Sequence, residues 1–370
     1  MRYICRKDFF DKIREPYIVI RELGRVVVIE SDVKQDRDVC VEDSTVSTNS
    51  IPMFQKYRYR YEEYEVEAFP YVSIYPDEVL RIHNFRDIYL ELSKGYFFKN
   101  ICVIDSGVND HLVFRENTVS IERINYVEDE SESDEYGHGT SVAGLISMFA
   151  PYSRIISVKI INRKGVGKVS DFLFALHDCL KNFCLFINIS LGGYLDENII
   201  EMVESEIDYI RSNLIRYKLD LFIVTSSGNE ANINKVTYPC GSRNSICVGS
   251  INKYLYRSWF SNVDINSLKP DFVTYGECVL TSDPGVYDKL ICKTGTSFST
   301  PIVTGVLYQI VNSFVGTYTS PIVILPIRVV DRESVYSILF SNTYKPRLLF
   351  KLFYRGRWDP NYGYGIPYLP

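Results

Sequence analysis

The chain has 370 residues, of which 46% are hydrophobic and 24% are charged, and its formal net charge is -5 at pH 7. This length suits two domains, or one large α/β domain with an appendage. The negative balance gives no reason to expect a nucleic-acid partner. Because the sequence contains no charge-free apolar stretch of spanning length and its N-terminus lacks the apolar core of a secretory signal, we expect neither a membrane protein nor a secreted one.

The nine cysteines are scattered and show no CxxC spacing. We therefore interpret most of them as small buried apolar residues, and we expect neither a disulfide framework nor a zinc site. Free cysteines and the missing signal together predict a reducing, cytoplasmic location.

Residues 1–84 differ from the rest of the chain in their pattern of apolar and polar residues. Strand-like runs at residues 17–21 and 25–30 flank a Leu-Gly turn, residues 34–50 are polar and turn-rich, and residues 69–82 end in another strand-like run. This pattern predicts a small, mostly β N-terminal module with a loop over residues 34–50.

From about residue 85 onward, apolar runs of strand length alternate with helical patterns. We predict strands at residues 101–104, 155–161, 184–189 and 221–224, and helices at residues 141–149, 170–181 and 197–218. Buried strands that alternate with helices predict an α/β domain, a mostly parallel sheet with helices on both faces, over residues 85–370. Sites in such sheets form at the carboxyl ends of the strands.

A serine lies just before a long apolar run near the end of this domain. Ser297, in the segment GTSFSTP, precedes residues 302–311, which we interpret as a buried helix. Pro301 is tolerated near a helix start, and the free N–H groups there favour a developing oxyanion. Taken alone, a serine that caps a core helix would explain the same pattern.

Three further residues complete a set with the chemistry of acyl transfer. Asp105 ends the first strand in VIDSG, His138 lies between two glycines ahead of a helix, and Asn229 follows the strand at residues 221–224. Each has a plain structural explanation by itself. Together with Ser297 they supply a carboxylate that orients, a general base, a nucleophile and a donor to the oxyanion.

The order Asp, His, Asn, Ser and its flanking residues resemble the subtilisin-like serine peptidases, or subtilases. The blocks VIDSGV, GHGTSVAG, SSGNE and GTSFSTP carry the resemblance, and INISLGG, KPDFVTYG and NYGYGIP are also similar, so that it covers about residues 85–370. It implies a subtilisin-like fold and an endopeptidase that works through an acyl-enzyme. The implied catalytic residues are Asp105, His138, Ser297 and Asn229, and the implied substrate-binding residues are Ser190, Leu191, Gly192, Ser227 and Gly228.

The resemblance also implies a peptide or protein substrate and no metal or organic cofactor. Ser141 stands where the family often has a second histidine, and Tyr275 stands where it usually has proline. The segment between the His138 helix and Pro151 is too short for the calcium loop of many relatives, so we expect no calcium there.

The N-terminal module resembles the inhibitory propeptides of the family through FPYVSIYPDEV, residues 69–79. This implies a segment that blocks the cleft until it is cut near residues 80–95. The alternative is a retained β module that docks on the domain or binds a partner. The acidic run at residues 128–135 is either a solvated loop or a negatively charged rim that favours basic substrates.

Two other functions stay open at this point. A non-catalytic protein on the same scaffold would bind peptides along the SLGG strand by β-augmentation, although such a protein needs no triad. An esterase or transpeptidase would use the same triad with another acceptor. The sequence specifies neither the natural substrate nor the oligomeric state.

Overall fold

The structure is a computed structural model, and it describes the chain except for residues 14–16, 36, 38, 49–56, 62–63, 69–72, 218, 317–331 and 346–357. Its N-terminal part is an antiparallel sheet with the strand order β2-β3-β1-β4. The strands are β1 (Arg2–Arg6), β2 (Ile18–Glu22), β3 (Val26–Glu30) and β4 (Cys40–Glu42), and a 3-10 helix (Lys7–Lys12) follows β1. The small β module is therefore confirmed.

Two segments of this region differ from their predicted structure. The predicted loop at residues 34–50 contains β4 and a further strand, β5 (Thr45–Thr48). The predicted strand-like run at residues 69–82 ends in a helix, α1 (Pro76–Ile82), while residues 69–72 lie outside the described residues. Pro76 suits the first helical turn, and Glu78 accepts a hydrogen bond from the Tyr75 N–H (3.1 Å), so local capping overrides the apolar pattern.

The remaining elements follow in chain order. The strands are β6 (Tyr57–Tyr61), β7 (Tyr64–Ala68), β8 (Asn100–Asp105), β9 (Ser120–Asn125), β10 (Arg154–Lys159), β11 (Val166–Lys168), β12 (Phe186–Ile189), β13 (Leu191–Gly192), β14 (Phe222–Ser226), β15 (Ser245–Ile251), β16 (Phe272–Tyr275), β17 (Val279–Ser282), β18 (Lys289–Lys293), β19 (Thr343–Tyr344) and β20 (Ile366–Pro367). The helices are α2 (Asp87–Lys94), α3 (Leu112–Glu116), α4 (Gly139–Phe149), α5 (Val169–Lys181), α6 (Glu197–Ile215), α7 (Thr296–Gly316) and α8 (Arg332–Ser341).

A seven-stranded parallel sheet in the order β16-β15-β14-β12-β8-β10-β9 organises the domain. Helices α4 and α7 pack into the core on one face, and α5 and α6 pack into the core on the other. The predicted α/β architecture is thus confirmed. Because neighbouring parallel strands run the same way, the ends of β8, β12 and β14 lie along one edge, and each leads into a residue predicted for the site.

Helix α7 begins earlier than the apolar pattern predicts. It starts at Thr296, so Pro301 lies inside it and Ser297 lies in its first turn. Proline has no N–H to donate to the carbonyl four residues earlier, which is that of Ser297. That carbonyl instead accepts a hydrogen bond from the Ser190 hydroxyl (2.8 Å), which allows the helix to continue through the proline.

The cysteines pair, which corrects the expectation that they are mostly free. Disulfides join Cys5 to Cys40, Cys102 to Cys179, Cys240 to Cys247 and Cys278 to Cys292, and Cys184 is free and buried. Two of the pairs join residues far apart in the sequence, as where Cys5 in β1 lies opposite Cys40 in β4. No regular spacing in the sequence reveals such pairs, and cysteine usage therefore no longer supports a reducing compartment. Within the described part of the chain, every helix is too short or too polar to cross a membrane.

Candidate active site

Asp105 and His138 form a buried hydrogen-bonded pair. Asp105 ends β8, His138 immediately precedes α4, and Nδ1 of the imidazole lies 2.8 Å from Oδ1 of the carboxylate. The N–H of Ser106 donates to the same oxygen (2.8 Å). Because a carboxylate oxygen only accepts, Nδ1 carries the proton and Nε2 points away from Asp105.

The loop before His138 is held by Asp134, a residue that sequence reasoning left inside the acidic run. Asp134 is 5% exposed, and it accepts hydrogen bonds from the N–H groups of Gly137 and Thr140 (both 2.8 Å) and from the hydroxyls of Thr140 (2.6 Å) and Ser106 (2.7 Å). It therefore ties the start of α4 to the end of β8. The sequence offered one signal for this role, which is an aspartate just before the start of a helix, where a carboxylate satisfies free N–H groups.

Ser297 lies beside this pair in the first turn of α7. Its hydroxyl donates to the carbonyl oxygen of Ser190 (2.8 Å), while Nε2 of His138 is buried and has no hydrogen-bond partner. The imidazole packs against the ring of Phe298, with ring centroids 5.3 Å apart. The Asp105–His138 pair thus packs against the residue that follows Ser297, and the serine hydroxyl is turned towards Ser190.

Asn229 follows β14 and faces the start of α7. Its Oδ1 accepts from the N–H (2.9 Å) and the hydroxyl (3.0 Å) of Thr296, the residue before Ser297. Because the oxygen end of the amide is used in this way, Nδ2 is left as a buried donor without a partner. Gly228 has φ +103°, and a Cβ there would lie 2.4 Å from Nδ2 of Asn262, so only glycine fits.

The residues predicted to bind substrate follow two neighbouring strands of the parallel sheet. Leu191 and Gly192 form β13, Ser190 precedes them, and Ser227 and Gly228 follow β14. A Cβ on Gly192 would lie 2.9 Å from the carbonyl oxygen of Tyr238, so the two backbones pass close together here. Strand β13 pairs antiparallel with β5, and β5 pairs on its other edge with β11, so β5 is the central strand of a three-stranded ribbon.

The acidic run divides into buried and exposed carboxylates. The side chain of Glu130 is 7% exposed and pairs with Lys159, with Nζ at 3.0 Å from Oε2, and Nζ also donates to the carbonyls of Ser131 (3.0 Å) and Ser133 (2.8 Å). The buried Lys159 therefore holds this loop against the end of β10. The exposed acidic side chains are those of Glu128, Asp129, Glu132 and Glu135. In the described part of the chain, His, Cys, Asp and Glu form no group of three or more that could hold a metal ion.

Comparisons with known proteins identify the family. A model of the subtilase family matches residues 99–321. The intracellular serine protease of Paenibacillus polymyxa is 28% identical over 226 residues, which cover 56% of this chain and 64% of that protein. The minor extracellular protease Epr of Bacillus subtilis is 28% identical over 166 residues, which cover 41% of this chain and 23% of that protein. The chain thus spans less than two thirds of either relative.

The fold also has counterparts among solved structures. The crystal structure of a lanthipeptide protease matches 72% of this chain and 84% of its own, with a TM-score of 0.56 and 23% sequence identity. At this identity the likeness shows the shared fold alone.

Proposed function

Because the chain belongs to the subtilase family of serine peptidases, we propose that it is an endopeptidase that hydrolyses peptide bonds through Asp105, His138 and Ser297. The observation that carries the proposal is the Asp105–His138 hydrogen bond (2.8 Å) next to a serine in the first turn of α7. A triad of this kind is recognised by geometry and by the role of each group.

In the first step, the Ser297 hydroxyl leaves the carbonyl of Ser190 and turns to Nε2 of His138, which has no other partner. The imidazole takes the hydroxyl proton as Oγ bonds to the substrate carbonyl carbon. It then gives that proton to the leaving amine as the C–N bond breaks. Water repeats the sequence on the acyl-enzyme, and the Asp105 carboxylate stabilises the imidazolium in both halves.

The negative charge that develops on the carbonyl oxygen needs donors that are already in place. We assign this role to Nδ2 of Asn229 and to the backbone N–H of Ser297. Thr296 holds the Asn229 amide by its oxygen end, and this fixes the donor end without any reorganisation during the reaction. The N-terminal end of the α7 dipole adds to the stabilisation.

We assign substrate binding to β13. A peptide would add a strand beside Leu191 and Gly192 in the place that β5 takes, with Ser190, Ser227 and Gly228 around the residue before the scissile bond. Main-chain pairing gives affinity for many sequences, so this pairing alone fixes no single substrate.

The place of action is a separate proposal. A cytoplasmic role in protein turnover or precursor maturation is favoured by a relative named as intracellular, whereas the extracellular relative and the four disulfides favour an oxidising compartment. Alkylation of thiols in intact cells, before lysis, decides between them. Thiols that are all alkylated support the cytoplasm, and protected pairs overturn it.

The test of the peptidase function is hydrolysis of a mixed peptide library by the wild type, Ser297→Ala and the control Ser212→Ala. Ser212 is exposed on α6, which packs on the face of the sheet opposite α7. The proposal predicts products from the wild type and the control only. A non-catalytic binder would retain peptides without products, and an acyl transferase would give products only when an amine acceptor is added.

A further inference from the structure

The hydroxyl oxygen of Ser106 lies between two buried carboxylates. Its Oγ is 3.2 Å from Oδ1 of Asp105, the residue that we assign to orient His138, and 2.7 Å from Oδ1 of Asp134. The N–H of Gly139 donates to the same Oγ (2.9 Å). Because a hydroxyl carries a single proton, Ser106 donates fully to only one of the two carboxylates.

The distances assign this proton to Asp134. Hydrogen bonds from a hydroxyl to an oxygen span about 2.5–3.0 Å, and those to a charged oxygen lie at the short end of this range. The separation of 2.7 Å to Asp134 fits such a bond, whereas the 3.2 Å to Asp105 is too long for one. Ser106 therefore turns a lone pair, and not its proton, towards the carboxylate of Asp105.

Asp134 is fixed in the position that this bond requires. Its Oδ1 also accepts from the N–H of Gly137 (2.8 Å), and its Oδ2 accepts from the N–H (2.8 Å) and the hydroxyl (2.6 Å) of Thr140. The side chain of Asn109 holds the main chain of Asp134 through the N–H (2.8 Å) and the carbonyl (3.2 Å). If the carboxylate moved, two buried backbone N–H groups would lose their acceptor.

The direction of the Ser106 hydroxyl affects how strongly Asp105 can hold the imidazole. Oδ1 of Asp105 accepts from Nδ1 of His138 (2.8 Å) and from the N–H of Ser106 (2.8 Å), and Oδ2 has no hydrogen-bond partner among the described residues. A third donor on Oδ1 would compete with the imidazole and would itself stabilise the carboxylate charge. The imidazolium that forms when His138 takes a proton would then be stabilised less.

We propose that Asp134 is a positioning residue for the reaction, because it takes the proton of the Ser106 hydroxyl and so reserves Oδ1 of Asp105 for the imidazole of His138. This inference rests on the proposed peptidase function. It goes beyond the capping of α4, since Asp134 acts here through a side chain at the end of β8 and not through the N–H groups of the helix.

The first test observes the Asp105–His138 hydrogen bond and needs no catalysis. In the full-length chain with Ser297→Ala, the Nδ1 proton of His138 should give a downfield NMR resonance, which His138→Gln identifies by its loss. In Asp134→Asn an amide can donate where Oδ1 stood, so the Ser106 hydroxyl turns to Asp105. The resonance should then move upfield, because the imidazole shares its acceptor. Adding Ser106→Ala removes the competing donor and should move the resonance back.

The control for this test is Thr140→Val, which removes the other hydroxyl that donates to Asp134. This change also costs a buried hydrogen bond, but it offers no new donor to Asp105, so the resonance should stay in place. An upfield shift in Thr140→Val, or a shift in Asp134→Asn that persists when Ser106→Ala is added, would assign Asp134 a structural role only and overturn the proposal.

Ser106→Ala alone tests the assignment of the proton without any change at Asp134. It leaves the Gly139 N–H without its acceptor, so some loss of stability is expected whatever the hydroxyl does. The His138 resonance should stay close to its original position, since the hydroxyl does not donate to Asp105. A downfield shift would show that it does, and would overturn the proposal even if Asp134→Asn failed to fold.

The second test measures peptide hydrolysis with Ser297 restored. Asp134→Asn should lower kcat by about tenfold with little change in KM, and adding Ser106→Ala should recover most of that loss. A loss that appears in KM, or a double variant that is slower than Asp134→Asn, would overturn the proposal. If the resonances shift as expected and the wild type cuts no peptide, the peptidase function fails, whereas the assignment of the Ser106 proton to Asp134 stands.

Discussion

The hydroxyl of Ser297 donates to the carbonyl of Ser190 (2.8 Å), and the hydroxyl of Ser190 donates back to the carbonyl of Ser297 (2.8 Å). The second bond satisfies a carbonyl that Pro301 leaves without its helical donor. Ser190→Ala should therefore leave a buried carbonyl unpaired and lower the free energy of unfolding by about 1–2 kcal/mol. Urea unfolding in a Ser297→Ala background measures this, and the exposed change Ser212→Ala should have no effect. Equal stability of the two variants would contradict the role of Ser190.

The Asn229 amide should act in the transition state and not in substrate binding. Asn229→Ala is expected to lower kcat by ~10²–10³, the loss measured when subtilisin lacks such a donor, with little change in KM. Thr296→Val removes one of the two bonds that orient the amide, and its loss should be smaller. Steady-state kinetics on one peptide measures both. A rise in KM with unchanged kcat would assign Asn229 to ground-state binding.

The exposed acids of the loop before His138 should attract basic peptides over long distances. We expect kcat/KM for a Lys- and Arg-rich peptide to fall as salt rises, and Asp129→Asn with Glu132→Gln should weaken that dependence. A neutral peptide is the control and should change little. The same salt dependence for both peptides would show that the run is only a solvated loop. Asp134 is left intact in this design because it holds the start of α4.

His83 should make the folded chain less stable in acid. Burial lowers its pKa from 6.5 to about 4, and its ring donates from Nδ1 to the Pro367 carbonyl. Between those two pH values the unfolded chain binds a proton that the folded chain refuses, so stability falls as pH drops from 6.5 to 4, by about 3 kcal/mol. The free energy of unfolding of the wild type and of His83→Gln, measured from pH 7 to 4, tests this. If the two free energies fall in parallel as the pH drops, His83 has no such effect.

Asp171 should have the opposite effect on the pH dependence of stability. Burial raises its pKa from 3.8 to about 6 against the opposing charge of Arg2, and Asp43, Lys168 and Glu128 are the other charged groups that act on it. Below pH 6 the folded chain takes up a proton that the unfolded chain does not, so this group adds roughly 1 kcal/mol of stability between pH 8 and 5. The free energy of unfolding of the wild type should therefore rise relative to that of Asp171→Asn as the pH falls from 8 to 5. A relative fall would contradict this.

The fold of the domain could be predicted because its signals are local. Apolar runs of strand length at β8, β12 and β14 and the periodic pattern of α6 specify a parallel sheet without tertiary information. The four positions proposed for catalysis were predicted from local signals as well, since Asp105, His138, Asn229 and Ser297 each lie near the end of a strand or the start of a helix. The structure pairs Asp105 with His138 and holds Asn229 against Thr296, the residue before Ser297, and the roles of all four stay predictions.

What sequence reasoning missed depends on contacts between distant residues. The cysteine pairs, the capping role of Asp134 and the docking of Thr45–Thr48 between two strands of the domain arise only from tertiary packing. Residues 34–50 read as a loop because their polarity suits a surface turn. When both partners of a strand come from a distant part of the chain, the strand's own sequence pattern shows little sign of the pairing.

A fluorophosphonate probe, followed by peptide mapping, tests most directly whether Ser297 is a nucleophile activated by His138. We expect one adduct, on Ser297, that is lost in His138→Ala and kept in Ser212→Ala. An unmodified Ser297 in the wild type, or an adduct that forms equally fast without His138, would contradict this role.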